Sequence, residues 1–189
     1  MKNNIKINKT VLISVAAVVA AIIMIIVGVS SVQANAIAYE EIVTEAKSAI
    51  RVQEKKRSDS YPLLADCVKS YDEHEAEAFL NVVVARTEKD GTITDDGVNE
   101  INNKIDMLLE AYPTLSSQEN YKTLMNDISI QENKIADTRE AYNKAVTRYN
   151  TYTRHPIRKF FLSLSGYERI EFPKLTYDVS EDAPTNLFD

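Results

Sequence analysis

The chain has 189 residues, of which 44% are apolar and 26% charged, with four glycines, five prolines and a formal net charge of -6. That length allows a membrane anchor plus one domain with a real core, and the composition excludes a disordered or collagen-like chain and disfavours a turn-rich all-β fold. The acidic excess argues against nucleic acid as a partner, and a single cysteine, Cys67, cannot close an intramolecular disulfide.

The charge is unevenly placed. Lys2, Lys6 and Lys9 precede a stretch without any charged residue that lasts until Glu40. Within it, Val11 to Val32 reads VLISVAAVVAAIIMIIVGVSSV. Roughly 22 residues span about 33 Å as a helix, which matches the hydrocarbon core of a bilayer. The lysines before the span and Glu40 and Glu41 after it predict a cytoplasmic N-terminus, residues 1–10, and an extracytoplasmic remainder. A cleaved signal peptide competes, because Ala34-Asn35-Ala36 has the small-x-small form of a cleavage site. The apolar run is longer than a signal h-region and helix-forming residues continue past it, so a retained anchor over 11–32 is the preferred reading.

Past the anchor, the helix breakers are Pro62, Gly91, Gly97, Pro113, Pro156, Gly166, Pro173 and Pro184. Residues 29–61, 63–90, 98–112 and 114–155 contain neither glycine nor proline, which predicts four helices within a domain over 33–166. The first is Ala-rich and continues the anchor, with Ala38, Ile42, Ala46, Ala49 and Val52 as its stripe. In the second, Leu64, Val68, Tyr71, Ala78, Val82 and Ala85 form the apolar seam, with Glu75 inside it. Val98, Ile101, Ile105, Leu108 and Tyr112 serve the third. The fourth carries Tyr121, Leu124, Ile128, Ile135, Tyr142, Val146 and Tyr149, interrupted by Glu132 and Arg139. Lys89-Asp90-Gly91-Thr92 reads as a turn, Thr94 or Asp95 as the cap of the third helix, and Ser116 or Ser117 as the cap of the fourth. Beyond Pro156 the helical pattern fades, and residues 167–189 read as an irregular, extended tail. The predicted fold is therefore all-α: an N-terminal transmembrane helix leading into an elongated antiparallel four-helix bundle with coiled-coil-like seams.

Spaced motifs along this frame resemble those of the LemA family. Tyr39 and Ile42-Val43 follow the anchor as in the family's Tyr-Asn-x-Leu-Val, with Glu40 in place of the asparagine. Lys56-Arg57-Ser58-Asp59-Ser60-Tyr61-Pro62-Leu63-Leu64, Val68-Lys69, Tyr71 and His74-Glu75 follow next, with Leu63 where the family has asparagine. Arg86 and Tyr112-Pro113-x-Leu115 come after these. The longest block is Glu132-Asn133-x-Ile135, Arg139-x-x-Tyr142-Asn143-x-x-Val146 and Tyr149-Asn150, and Pro156, Gly166, Phe172, Pro184 and Phe188 continue the pattern. The resemblance implies an N-terminal anchor and a long helical bundle. It carries an association with envelope proteostasis beside membrane metalloproteases, but no defined molecular role.

Catalytic motifs are missing. His74-Glu75-Ala76-Glu77-Ala78 lacks the second histidine of a zinc-protease helix, His155 is the other histidine of the chain, and four glycines supply no phosphate or dinucleotide loop. No cofactor, metal or small-molecule substrate is expected, and the sequence does not read as an enzyme. Glu75, Arg86, Glu132 and Arg139 border or interrupt the apolar stripes. A buried isolated charge costs several kcal/mol, so these four are candidates for interhelical ion pairs that fix register, against an alternative in which they lean out to solvent. If the fourth helix runs back toward the bilayer, Arg154, Arg158, Lys159, Phe160 and Phe161 become candidate membrane-surface contacts, although the third and fourth helices differ in length, about 28 against about 57 Å. The alternative is that these aromatics close the end of the bundle. The function that follows is a non-catalytic interaction or scaffold protein held in the cell membrane. Its partners are the lipid bilayer, through the anchor, and envelope or membrane proteins. An adaptor beside a membrane protease is the second reading.

Overall fold

The structure, a computed structural model, describes residues 9–175. Lys2 and Lys6 of the expected cytoplasmic segment, and the tail beyond residue 175 with Pro184 and Phe188, lie outside them. The described residues are helical: α1 Lys9–Lys69, α2 Glu73–Arg86, α3 Asp95–Ala111, a 3-10 helix Pro113–Ser117, α4 Glu119–Arg154 and α5 Pro156–Leu164. They fall into two compact units, Thr44–Asn143 on one hand, Met1–Val43 with Lys144–Asp189 on the other. The boundaries lie inside α1 and α4, where no glycine or proline marks them.

In the unit Thr44–Asn143 the core is built from Tyr61, Leu64 and Val68 of α1, Phe79 and Val83 of α2, Ile93, then Val98, Ile101, Ile105 and Leu108 of α3, Leu115, and Tyr121 and Ile128 of α4. Each such side chain, fully buried, contributes about 1.5–3 kcal/mol of apolar transfer, so this cluster holds the unit together. The α3 and α4 stripes read from the sequence are the buried ones. Those of the first two segments are shifted. Along α1 the buried positions recur at sevens, Ala36, Val43, Ile50, Arg57 and Leu64, while Ala38, Ile42 and Val52 are exposed. On α2, Ala76, Phe79 and Val83 are buried, and Ala78 and Ala85 face out.

In the second segment Leu64 and Val68 are buried as expected and the shift begins past Val68, because Pro62 does not end a helix. It lies within α1, and the chain breaks instead at Ser70–Asp72, where the Asp72 side chain accepts from the Glu75 backbone N–H at 3.0 Å and caps α2. Proline removes one ladder hydrogen bond and crowds the carbonyl four residues back. Burial of Tyr61, Leu64, Ala65 and Val68 on the same turns outweighs that cost. Replacing Pro62 by alanine restores the bond, and an increase in stability of about 1–2 kcal/mol is expected once the proline's stiffening of the unfolded chain is subtracted. Urea unfolding in detergent measures it; a loss of stability contradicts the account.

The connection from α2 to α3 places one core side chain and one acceptor. Glu88 N–H donates to Thr92 O at 2.7 Å, Gly91 takes φ +81, and Thr87 bridges Ile93. Ile93 is thereby driven into the core, with its carbonyl oxygen available inside. Thr94 then caps α3, its hydroxyl accepting from Gly97 N–H at 3.2 Å. Ser116 and Ser117 do not cap α4, because their hydroxyls donate backward to Pro113 O and Thr114 O and close the 3-10 turn.

In the other unit, Ala36 and Val43 of α1 are buried, as are Ala145, Val146, Tyr149 and Thr153 of α4 and Leu162 of α5. Residues past Pro156 thus form a fifth helix where the sequence pattern had faded. Pro156 occupies its first turn, where a missing N–H costs nothing, and Gly166 ends it at φ +72 with Tyr167 N–H donating to Leu162 O and Gly166 N–H to Ser163 O. From residue 9 to residue 27 every side chain of α1 is exposed, and α1 is long and, near its start, apolar enough to cross a membrane.

Candidate functional site

Polar side chains gather in two places. The first, in the unit Thr44–Asn143, is centred on Arg57, which is 1% exposed. Its Nη1 donates to Glu132 Oε1 at 2.9 Å and Oε2 at 3.2 Å, and its Nη2 donates to Ile93 O at 2.8 Å. Asp95 Oδ1 stands 3.5 Å from Nη1. Arg139 of α4 grips the same aspartate with both terminal nitrogens, at 2.9 and 3.1 Å, and also donates to Glu54 of α1 at 2.9 Å. Glu54, Arg57, Asp95, Glu132 and Arg139 thus form one network joining α1, α3 and α4.

None of the four sequence candidates pairs with another of the four. Glu132 meets Arg57, and Arg139 meets Asp95 and Glu54. Glu75 accepts from Lys104 Nζ at 2.9 Å, and Arg86 pairs with Glu100, both across α2 and α3. The partners Arg57, Asp95 and Glu54 lie outside the apolar stripes that the sequence shows. The seven-residue recurrence from Ala36 through Ile50 to Leu64 passes through Arg57 and is the signal that could have found it.

Asp95 opens α3, so the helix N-terminus adds to its partners' effect. The hydrogen bonds from Arg139 are the chief reason that its carboxyl lies below the usual aspartate range, with Arg57 adding to them and partial burial opposing. A carboxyl whose native pKa is depressed stabilises fully above its unfolded value of about 4, and the contribution is lost as pH falls through the native value. Stability against urea is therefore expected to fall steeply with acidification below about pH 4 and to fall less steeply in Asp95→Asn. Equal slopes in the two proteins contradict the assignment.

Two nucleophile candidates lie beside open space in this unit. Cys67 borders a cavity of about 640 Å³ with Asp66, Ser70 and Gln118, and burial, then the charge of Asp66, pushes its thiol up. Tyr61 borders one of about 480 Å³ with Tyr121 and Glu132. Its buried hydroxyl has no hydrogen-bond partner among the described residues, and burial pushes its pKa up to about 12. Both groups are held in their protonated, unreactive forms at neutral pH. His74 is exposed on α2, His155 precedes α5, and among the described residues no three His, Cys, Asp or Glu side chains are grouped to hold a metal ion.

The second gathering is in the unit Met1–Val43 with Lys144–Asp189. Tyr167 O–H donates to Glu40 Oε2 at 2.7 Å, and its oxygen lies 3.1 Å from the Tyr149 hydroxyl. Since Tyr167 spends its proton on Glu40, Tyr149 is the donor between the two. The Tyr149 oxygen accepts in turn from Ile170 N–H at 3.0 Å, and its ring meets Phe172 edge-on at 5.2 Å. Burial foremost, then the bond that Tyr167 donates to Glu40, raises the Tyr167 pKa well above the ordinary tyrosine value. This chain of contacts fixes residues 167–172, without regular secondary structure, against α4.

The membrane-surface candidates divide. Phe160 and Ile157 of α5 are exposed, at 65% and 64%. Phe161 instead turns toward α1, where a Cβ on Gly28 would stand 3.9 Å from its Cε1. The Arg158 guanidinium lies over the Tyr152 ring at 4.3 Å, whereas Arg154 and Lys159 border a cavity of about 310 Å³.

The LemA family model matches residues 46–188. Over 78 residues the chain is 30% identical to magnetosome protein MamQ 2 of Paramagnetospirillum magneticum and 27% identical to magnetosome protein MamQ of Magnetospirillum gryphiswaldense. These alignments cover 41% of this chain and 29% of either relative, so the chain spans less than a third of the length of the curated relatives that it matches. With three quarters of its residues inside the family match, the chain belongs to the LemA family.

Proposed function

We propose that this protein is a membrane-anchored, non-catalytic helical interaction protein of the cell envelope. The observation that carries the proposal is the exposed apolar run of α1: isoleucines, valines and a methionine from Val11 to Val27 are about half exposed or more, a surface that water does not tolerate and lipid does. Lys9 at one end and Glu40 at the other support an N-terminus in the cytoplasm and the remaining helices outside the cell membrane. The interhelical pairs of Arg57 with Glu132 and of Arg139 with Glu54 ascend α4 as they descend α1, which supports an antiparallel bundle of α1 to α4. Family membership and the groups held unreactive favour a role in binding over one in catalysis.

Alkaline carbonate extraction of native membranes tests the anchor, with the full chain expected in the pellet; its release to the supernatant overturns the proposal. Crosslinking in the same membranes then identifies envelope or membrane proteins in contact with the chain. A dominant protease among them selects the adaptor reading.

A further inference from the structure

Resting on the anchor just proposed, a second membrane contact follows from lengths. The fully exposed part of α1, from Val11 to Val27, measures about 25 Å along its axis, short of a hydrocarbon core of about 30 Å. The missing few Å fall at Gly28 and the turn after it, where α1 is first partly covered, and Phe161 of α5 is what stands beside Gly28. One turn on, Tyr152 O–H donates to Val32 O at 3.3 Å, and farther along Tyr39 and Tyr152 meet at 5.0 Å, amphipathic rings of the kind that favour the headgroup level. A bilayer that covers the apolar run therefore reaches α5 from the side.

α5 is built for that level. Leu162 is buried toward α4, and Ile157, Phe160 and Leu164 recur at helical spacing on the opposite side, 64%, 65% and 58% exposed. On the Leu162 side of α5 lies the cavity of about 310 Å³, bordered by Leu162 itself, by Arg154, Lys159 and Arg169, and by Thr153, Ser163 and Tyr167. Among the described residues three cations and no carboxylate line it, in a chain of net charge -6. Arg169 is held by Asn150 Oδ1 at 2.8 Å and loosely by Glu171 at 3.5 Å, and its buried Nε has no partner among the described residues. Arg158 is engaged with the Tyr152 ring and does not border the cavity.

We propose that α5 is an interfacial helix, with Ile157, Phe160 and Leu164 in the edge of the hydrocarbon, and that the Arg154–Lys159–Arg169 cavity takes the phosphate of an anionic phospholipid headgroup from the surrounding leaflet. Apolar burial and charge act together there, because a headgroup phosphate and the start of its acyl chains lie within one helix diameter of each other.

The chain has no tryptophan, so Phe160→Trp supplies a single indole fluorophore at an exposed position. The full-length variant is reconstituted into vesicles of phosphatidylcholine, with or without phosphatidylglycerol. Bromine on the lipid acyl chains is expected to quench the indole and aqueous iodide to leave it bright. Native mass spectrometry of the wild-type chain from mixed micelles is expected to retain phosphatidylglycerol over phosphatidylcholine. Arg154→Gln with Lys159→Gln should lower that preference roughly fivefold for each charge removed. Iodide quenching of the indole in both vesicle types overturns the interfacial helix, and an unchanged lipid preference in the double variant overturns the cavity. Displacement of the lipid by inorganic phosphate overturns the headgroup as its source. If carbonate releases the chain from membranes, the anchor itself has failed. If the chain is retained while the indole stays in water, only the present proposal has.

Discussion

Arg57→Ala is expected to cost about 3–5 kcal/mol of stability. The guanidinium is almost wholly inside, and its truncation removes both bonds to Glu132 and the bond to Ile93 O while opening a void beside Tyr61 and Ile93, both buried. Two further variants separate charge from volume. Glu132→Ala leaves the positive charge buried with Ile93 O and a more distant Asp95, so it falls in the same range, about 3–5 kcal/mol, although the Glu132 carboxylate itself is partly open to water. Arg57→Met keeps most of the volume and strands no charge, since Glu132 can rehydrate. It is expected to cost clearly less than either. Urea unfolding monitored by circular dichroism in detergent ranks the three. If Arg57→Met is as damaging as Arg57→Ala, the ion pair and not the packing of the stem is what the unit depends on.

That contrast also explains how far the sequence could be read. Hydropathy located the apolar run of α1 without help, because its residues are apolar on every side and no phase has to be chosen. The stripes of α3 and α4 were legible for a related reason: their polar residues are numerous enough to leave one apolar face. In α1 beyond the apolar run, alanines on several faces leave the phase open, and the buried seam is hard to see because one of its members is an arginine. Pro62 misled in a different way. A local breaker was overruled by burial of its neighbours, and the consequence propagated into α2, where the seam was drawn one face away. The fifth helix escaped because it is short and most of its apolar side chains are exposed or half-exposed, so they carry no core-facing period of their own. Its boundaries were nonetheless written in Pro156 and Gly166. For the polar site, residues at odds with a stripe identified the right class of side chain and only half of each pair, because a partner on another helix has no fixed spacing in sequence.

Tyr149→Ala is expected to cost about 3–5 kcal/mol, and the loss should not be shared evenly along the chain. Tyr149 is fully buried, and three separate contacts end on it: the donated bond to Tyr167, the accepted bond from Ile170 N–H, and the edge of Phe172. Tyr149→Phe keeps the ring and the Phe172 contact but strands the Ile170 N–H and deprives the Tyr167 oxygen of its donor, so about 1–3 kcal/mol is expected for the hydroxyl. The segment from Tyr167 to Phe172 has no ladder of its own and is held by side chains alone. Its amide hydrogens should therefore exchange faster in both variants, while those of α2 and α3, in the unit Thr44–Asn143, keep their protection. The raised Tyr167 pKa rests on burial and on the bond donated to Glu40, and Tyr149→Phe removes a donor that favours the phenolate, so the value should rise further, which a spectroscopic alkaline titration against a Tyr167→Phe control reads. Uniform loss of protection across α2, α3 and residues 167–172 would show that Tyr149 supports the whole chain and does not act as a local clasp.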